Sequence, residues 1–338
     1  MTKFERLFMQ RRQTLKTVLG TAALSQGLFS SQSSLAQTSY PTKPIRYIVP
    51  VSAGGGSDMI GRTVCERWGR VLLQPMIIDN EGGGGGVIAC QNAAKAPADG
   101  YTLMQGYVAT LGTSPATRRN LPYDPIKDFT PIGMIGGTPN VLVVHPSVPA
   151  KNVKEFIDFI KKNPTSVSYG SSGQGSLTHL TMELFKQTGE SPIVHIPYKG
   201  IAPAFNDLMG GQIQAMFPGL AAALPHIRSG RVRAIAVTGA TRSSQLKDTP
   251  TLEEFGFKGF TALQWYGVVG PAGLPTQIVQ KLNSTLNLVL SSPELKEKMA
   301  VEAVEPMTMS SDQFGNYIKA DLSRWTKLAK ERNIELDN

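Results

Sequence analysis

The sequence predicts an α/β protein of about two domains, and three observations carry that prediction. Strand patterns alternate with helix patterns along the chain. Three glycine loops each stand between a strand and a helix. The 338 residues leave room for two cores once an N-terminal leader is set aside.

The leader comes first. Lys3, Arg6, Arg11, Arg12 and Lys16 make a basic start, and Thr17 to Phe29 is mildly apolar and too short to span a bilayer. Ser34-Leu35-Ala36 supplies the small residues that a signal peptidase reads, so residues 1–36 are expected to be a signal peptide. Arg11-Arg12-Gln13-Thr14-Leu15-Lys16 resembles a twin-arginine export signal, with Thr14 where that pattern prefers an aromatic. An ordinary Sec signal with adjacent arginines is the alternative. No cysteine follows the cleavage site and no later run reads as a membrane span. The expected product is a soluble protein of a Gram-negative periplasm.

The elements follow in order. Ile45–Val49 leads into the first loop, Ser52-Ala53-Gly54-Gly55-Gly56-Ser57-Asp58, and the next helix carries an apolar stripe of Ile60, Val64, Trp68 and Val71. Met76–Asp79 is a strand before the second loop, Gly82–Gly86, and Tyr101–Gln105 is a third strand. Val141–Val144 reads as a buried strand. Asn152, with Glu155 three residues on, caps a helix of Val153, Phe156, Ile157 and Ile160. Ser166–Tyr169 leads into the third loop, Gly170 to Ser176. Strands at Ile193–Pro197, Gln214–Phe217 and Arg233–Thr238 continue the alternation. Thr251-Leu252-Glu253-Glu254 reads as a capping box. Ile278, Leu282, Leu286 and Val289 form a helical stripe, Ser292-Pro293-Glu294 opens another helix, and Phe314, Ile318, Leu322 and Trp325 mark the last. Such alternation predicts parallel, doubly covered sheets, whose ligands bind outside the carboxyl ends of the strands, where these loops lie.

Charge and composition narrow the function. The formal charge is +9, of which the leader holds +4, leaving +5 on the body. No Lys/Arg run is dense enough for nucleic acid, and the balance suits an anionic ligand. Cys65 and Cys90 either pair in an oxidising compartment or sit as buried small residues on their helices; their spacing matches no zinc pattern. Gly54 and Gly56 fit the first two positions of a dinucleotide fingerprint, but Met59 occupies the third. No phosphate loop and no nucleophile elbow occur. His145, His179, His195 and His226 are never at i, i+4 and never beside a carboxylate cluster; His145 and His195 lie in strand patterns as structural residues. Glycine, which lets backbone approach a ligand closely, followed by a helix N-terminus with free N–H groups, binds anions. Binding is favoured over catalysis.

The motifs carry a family resemblance. Pro50 through Asp58, Asn80-Glu81 with Gly82–Gly86, Lys95 through Leu103 and Leu121-Pro122-Tyr123-Asp124-Pro125 come in order. Ser168 through Ser176 with His179, Pro197-Tyr198-Lys199-Gly200, Ala223 through Gly230, and Trp265 with Pro271-Ala272-Gly273 complete the set. The chain resembles the Bug/TctC family of periplasmic solute-binding receptors of tripartite tricarboxylate transporters, over essentially its whole mature length. The resemblance implies a type II periplasmic-binding-protein fold, two doubly wound lobes with a ligand cleft and two hinge crossovers. The lobes are placed at 41–138 plus 240–338, and at 139–239. It further implies a small carboxylate ligand, lobe closure on it, delivery to a permease of two integral membrane subunits, a monomeric receptor, and neither cofactor, metal nor nucleic acid.

The ligand-binding residues so mapped are Ser52, Ala53, Gly54, Gly55 and Asp58 from the first loop, and Tyr107 and Thr110 after the third strand. Ser171, Ser172, Gly173, Gly175, Ser176 and His179 come from the third loop and its helix, with Tyr198 and Pro218 beyond. Asp58 suits helix capping as well as ligand contact, and Ser172 and Ser176 suit capping too. His179 either packs behind its loop or reaches the ligand; Trp265 is either core or cleft wall. Many relatives in that family carry an acidic residue where Pro218 and Gly219 stand, a partner for a ligand ammonium. Its absence favours amine-free acids, aliphatic or aromatic. A sensor feeding a signalling protein would use the same cleft; an enzyme would need a nucleophile–base pair that the sequence lacks.

Overall fold

The computed structural model describes residues 40–336. The expected leader and its export signal lie outside the described residues. The fold belongs to the unit that begins at Lys43.

Strand β1 (Ile45–Val49) feeds helix α1 (Gly56–Leu72), β2 (Met76–Asn80), α2 (Val87–Ala94), β3 (Thr102–Tyr107), a short α3 (Ser114–Thr117) and a long β4 (Phe129–Pro139). The chain then builds a second sheet from β5 (Val141–Val144), α4 (Val153–Lys162), β6 (Ser168–Ser171), α5 (Leu177–Gly189), β7 (Val194–Pro197), α6 (Ile201–Met209), β8 (Ala215–Met216), α7 (Leu220–Arg228) and β9 (Arg233–Val237). It returns through β10 (Leu263–Pro271), α8 (Thr276–Leu290), α9 (Pro293–Val301), β11 (Glu305–Pro306) and α10 (Ser311–Glu331). The sheets run β11-β4-β10-β3-β1-β2 and β7-β6-β8-β5-β9, flanked by helices in a two-lobed periplasmic-binding architecture.

The sheets are mixed, which corrects the expectation of parallel ones. Strands made by local strand–helix–strand units are parallel, as β1 is to β2 and β3, and β6 to β7 and β8. The strands by which the chain leaves or re-enters a sheet come from the opposite end. Thus β10 runs antiparallel to β3 and β4, and β5 antiparallel to β8 and β9.

Local signals hold where side chains cap or fill. Asn152 Oδ1 accepts the Glu155 N–H at 2.9 Å, and Ser292 caps α9. Thr251 and Glu254 exchange both capping bonds, but only a single turn, Glu253–Phe255, follows. Ile60, Val64 and Trp68 are buried under α1, whereas Val71 faces out and Leu72 fills the core in its place. Cys65 and Cys90 are buried and unpaired, and burial pushes the Cys90 thiol up to about 12. Both are therefore small core residues.

Two crossings join the sheets, between β4 and β5 and between β9 and β10, and they lie side by side. A single residue, Asn140, separates β4 from β5. Its N–H donates to Thr238 Oγ1 at 2.9 Å, the Thr238 N–H donates back to the Asn140 carbonyl at 2.9 Å, and Thr238 Oγ1 donates to the Ala262 carbonyl at 2.5 Å. Trp265 is core, not cleft wall: it is fully buried, its indole N–H donates to Asp321 Oδ2 at 2.9 Å, and Phe314 and Tyr317 meet it edge-on.

Gly267 in β10 lies under the Phe314 ring so closely that a Cβ would overlap it. Gly267→Ala is expected to destabilise the protein by about 1–3 kcal/mol through overpacking, read as a lower melting temperature; an unchanged melt would show that α10 is free to shift.

Candidate functional site

Two cavities share the side chain of Gln264 and line the space where loops from the two sheets converge. The larger, 440 Å³, is bounded by Tyr107 to Ala109, Thr113, Ser114, Thr117, Arg118 and Gly85 on one side, and by Ser172 and Gln174 to Thr178 on the other. The smaller, 290 Å³, is bounded by Gly56, Ser57, Thr138, Gly219, Ala221, Ala222, Tyr266 and Glu302.

The smaller cavity lies at two helix starts. α1 is preceded by Gly55 and α7 by Gly219, and neither cap residue has a side chain to accept the first-turn N–H groups. Those groups, with the positive ends of two helix dipoles, border one space. The Glu302 carboxylate stands beside Gly56, where an added Cβ would lie 3.2 Å from its Oε2. The fully buried Thr138 hydroxyl has no partner among the described residues.

The first loop is held from behind. Asp58 is buried; its Oδ2 accepts the Gly54 N–H at 2.8 Å and Arg62 Nε at 3.0 Å, and its Oδ1 accepts Asn80 Nδ2 at 2.9 Å. Burial alone would raise this carboxyl, but Arg62, the Gly54 N–H and Asn80 outweigh it and hold it below the usual range. Asp58 thus spends both oxygens on joining the loop to Arg62 and to the end of β2. Ser52, Ala53, Gly54 and Gly55 are exposed around it, and the two glycines face open space. Thr110 is fully buried, its Oγ1 bonded to the Tyr107 backbone, and its methyl abuts Gly86 so closely that no side chain fits there. Tyr107 stacks on Tyr266 at 6.5 Å and lines the larger cavity.

The third loop is held in the same way. Ser176 caps α5 by accepting the His179 N–H at 3.3 Å and donates its own hydroxyl to the Gly173 carbonyl at 2.6 Å. The Ser172 N–H donates to Thr178 Oγ1 at 2.9 Å. Ser172, Gly175 and Ser176 line the larger cavity. Ser171 is buried, with its Oγ 2.7 Å from His195 Nε2. The Gly175 N–H donates to His179 Nδ1 at 3.1 Å, which leaves the ring proton on Nε2. His179 stacks on His195 at 3.9 Å, and His195 on Tyr169 at 4.8 Å. Gly173 lies beside the Tyr198 carbonyl, and Tyr198 donates its hydroxyl to Asp207 at 2.6 Å. Pro218 is buried, with its carbonyl accepting the Val141 N–H.

Of the residues read from the sequence, Tyr107, Ser172, Gly175 and Ser176 reach a cavity wall. Asp58, Thr110, Ser171 and His179 stand one layer behind and hold the walls; Ser52, Ala53, Gly54, Gly55, Gly173, Tyr198 and Pro218 line neither cavity. Sequence reasoning missed Ser57, Arg118, Asn140, Gly219, Ala221, Gln264 and Glu302. A signal existed for one of these: Gly219 before Leu220-Ala221-Ala222-Ala223 is a glycine-capped helix start. Arg118 and Glu302 sit in stretches without pattern. Among the described residues no His, Cys, Asp and Glu group could hold a metal ion.

Burial is the main cause that pushes both His179 and His195 down to about 4; Lys186 reinforces it, and Glu183 opposes it. Their folded values lie below the ordinary 6.5, so between about pH 6.5 and 4 the unfolded chain binds protons that the native fold excludes. Stability is therefore expected to be fully present near neutrality and to fall as pH drops through that window. Thermal melts from pH 7 to 4 check this, with His195→Gln predicted to flatten the dependence; a wild-type melt level across the window would contradict it.

The sequence profile described as tripartite tricarboxylate transporter family receptor matches residues 60–334. Protein BugT of Bordetella pertussis is 33% identical over 323 residues, covering 95% of this chain and 98% of its own. A solved structure described as a periplasmic transporter is 41% identical with a TM-score of 0.76, covering 88% of this chain and 100% of that one. An R. palustris protein solved with adipate is 36% identical with a TM-score of 0.76, covering 88% of this chain and 99% of that one. The chain, with its two-lobed fold, belongs to the tripartite tricarboxylate transporter receptor family: it is a periplasmic solute-binding receptor that delivers solute to a transporter permease.

Proposed function

We propose that this receptor captures a small, amine-free carboxylate by closing its lobes on it, and hands the closed complex to a permease of two integral membrane subunits. The observation that carries this reading is the pair of uncapped helix N-termini, one following a strand of each sheet, across the 290 Å³ cavity. Each offers free N–H groups and roughly half a positive charge, and an anion between them satisfies both. Contacts to both ends exist together only when the lobes are close, so the ligand favours the closed form.

The moving bodies in this reading are 41–138 with 240–338, and 139–239, turning about the Asn140–Thr238 clamp. One chain supplies both walls of the cleft, so the receptor works as a monomer. The R. palustris relative solved with adipate supports an organic acid as ligand.

Glu302 favours a second reading. Its carboxylate borders the smaller cavity and accepts no hydrogen bond and forms no ion pair among the described residues. An unpaired carboxylate there either opposes a ligand carboxylate or takes a ligand ammonium. The two readings respond oppositely to Glu302→Gln. For an amine-free acid such as glutarate, the substitution removes a like charge and is expected to tighten binding roughly 3–10-fold, on the order of 1 kcal/mol in a wet site. Calorimetric titration of ligand-free protein with glutarate and glutamate decides between them. Glutamate bound by the wild type and lost in Glu302→Gln would replace the amine-free reading with an amino-acid one, and no heat from any acid would remove both.

A further inference from the structure

The larger cavity holds a cation that has no counter-ion among the described residues. Arg118 is half-buried in its wall, and its guanidinium makes no hydrogen bond or ion pair among the described residues. The next residue, Arg119, is by contrast engaged by Glu335. Among the described residues no acidic side chain lines this cavity. Across it stands the N-terminus of α5, whose first residues, Leu177 and Thr178, are part of the wall and carry first-turn N–H groups.

A second observation comes from the hinge. Asn140 is fully buried and borders the same cavity. Its Nδ2 donates to the Phe217 carbonyl at 2.9 Å, which fixes the orientation of the amide. Its Oδ1 has no partner among the described residues. A buried acceptor left alone is costly, so this position calls for a donor such as a water or hydroxyl accompanying a ligand. A free guanidinium, a helix N-terminus and an orphaned acceptor thus surround one space of 440 Å³, and Gln264 joins it to the smaller cavity.

We infer that Arg118 binds a second carboxylate of the ligand, which makes this receptor selective for diacids over monoacids. The inference rests on the carboxylate reading above and adds the second charge. One carboxylate lies between the N-termini of α1 and α7; the other lies in the larger cavity, paired with Arg118 and facing the start of α5. Guanidinium and carboxylate match in charge and in planar geometry, and the partly enclosed wall limits screening.

The test is calorimetric titration of ligand-free wild-type protein, Arg118→Gln and Arg118→Lys with matched acids: glutarate against valerate, adipate against hexanoate, terephthalate against benzoate. The wild type is expected to prefer the diacid of at least one pair by roughly 30-fold or more, the loss typical of removing one partner from a buried charge pair. In Arg118→Gln the preference should fall to within about 3-fold, and Arg118→Lys, keeping the charge without the planar fork, should recover part of it. A wild type that binds both acids of every pair alike, or an Arg118→Gln protein that keeps the preference, overturns the inference while leaving the carboxylate reading in place. A wild type that binds none of these acids removes both.

Discussion

An α-helix cannot satisfy its own first N–H groups, and the function of this protein depends on where those groups are left. At α1 and α7 the cap position is glycine, so no side chain supplies the missing acceptor. At α5 a serine is the cap, but its hydroxyl also ties the glycine loop to the helix. All three helix starts border the paired cavities between the sheets. What elsewhere would be a small defect in each helix is here a shared demand for an acceptor, which the proposed anionic ligand would meet. The demand is divided between two sheets, so in the proposed complex meeting it would draw them together.

Such a site needs rigid backing, because donors that wander lose their aim. Asp58 provides it for the first loop by accepting from the Gly54 backbone, Arg62 and Asn80 together. The stack of Tyr169, His195 and His179 provides it for the third, with His179 accepting a loop N–H. Glu183 lies beyond that stack, bonded to Tyr169 at 2.6 Å, Lys186 at 2.6 Å and Arg332 at 2.9 Å. Arg332 follows the last helix, so this buried carboxylate also ties the C-terminal segment to α5. Between the sheets, Asn140 and Thr238 hold the two crossings together.

Much of the architecture was legible in the sequence, for definite reasons. Glycine loops after strands mark helix starts, and Asn152 and Ser292 sit where short polar side chains are worth most. β4 was not legible, because Pro131, Gly133, Gly136 and Gly137 interrupt its strand pattern and only pairing with β10 makes it regular. The site was legible as a region but not as a surface. Asp58, Thr110, Ser171 and His179 belong to the right loops, yet their side chains turn backwards into the support. Arg118, Asn140, Gln264 and Glu302 become neighbours of the cleft only through the crossing of the chain between sheets, a relation that no local pattern records.

In the proposed complex one ligand carboxylate is held jointly by helix starts from both sheets. Amide NMR of the labelled receptor, titrated with a bound diacid, tests it at the atoms concerned. Large, simultaneous shifts are expected of the Gly56 and Ser57 amides on one side and the Leu220 and Ala221 amides on the other, saturating together with the calorimetric affinity. Shifts confined to one helix start, or to residues away from both, would contradict it.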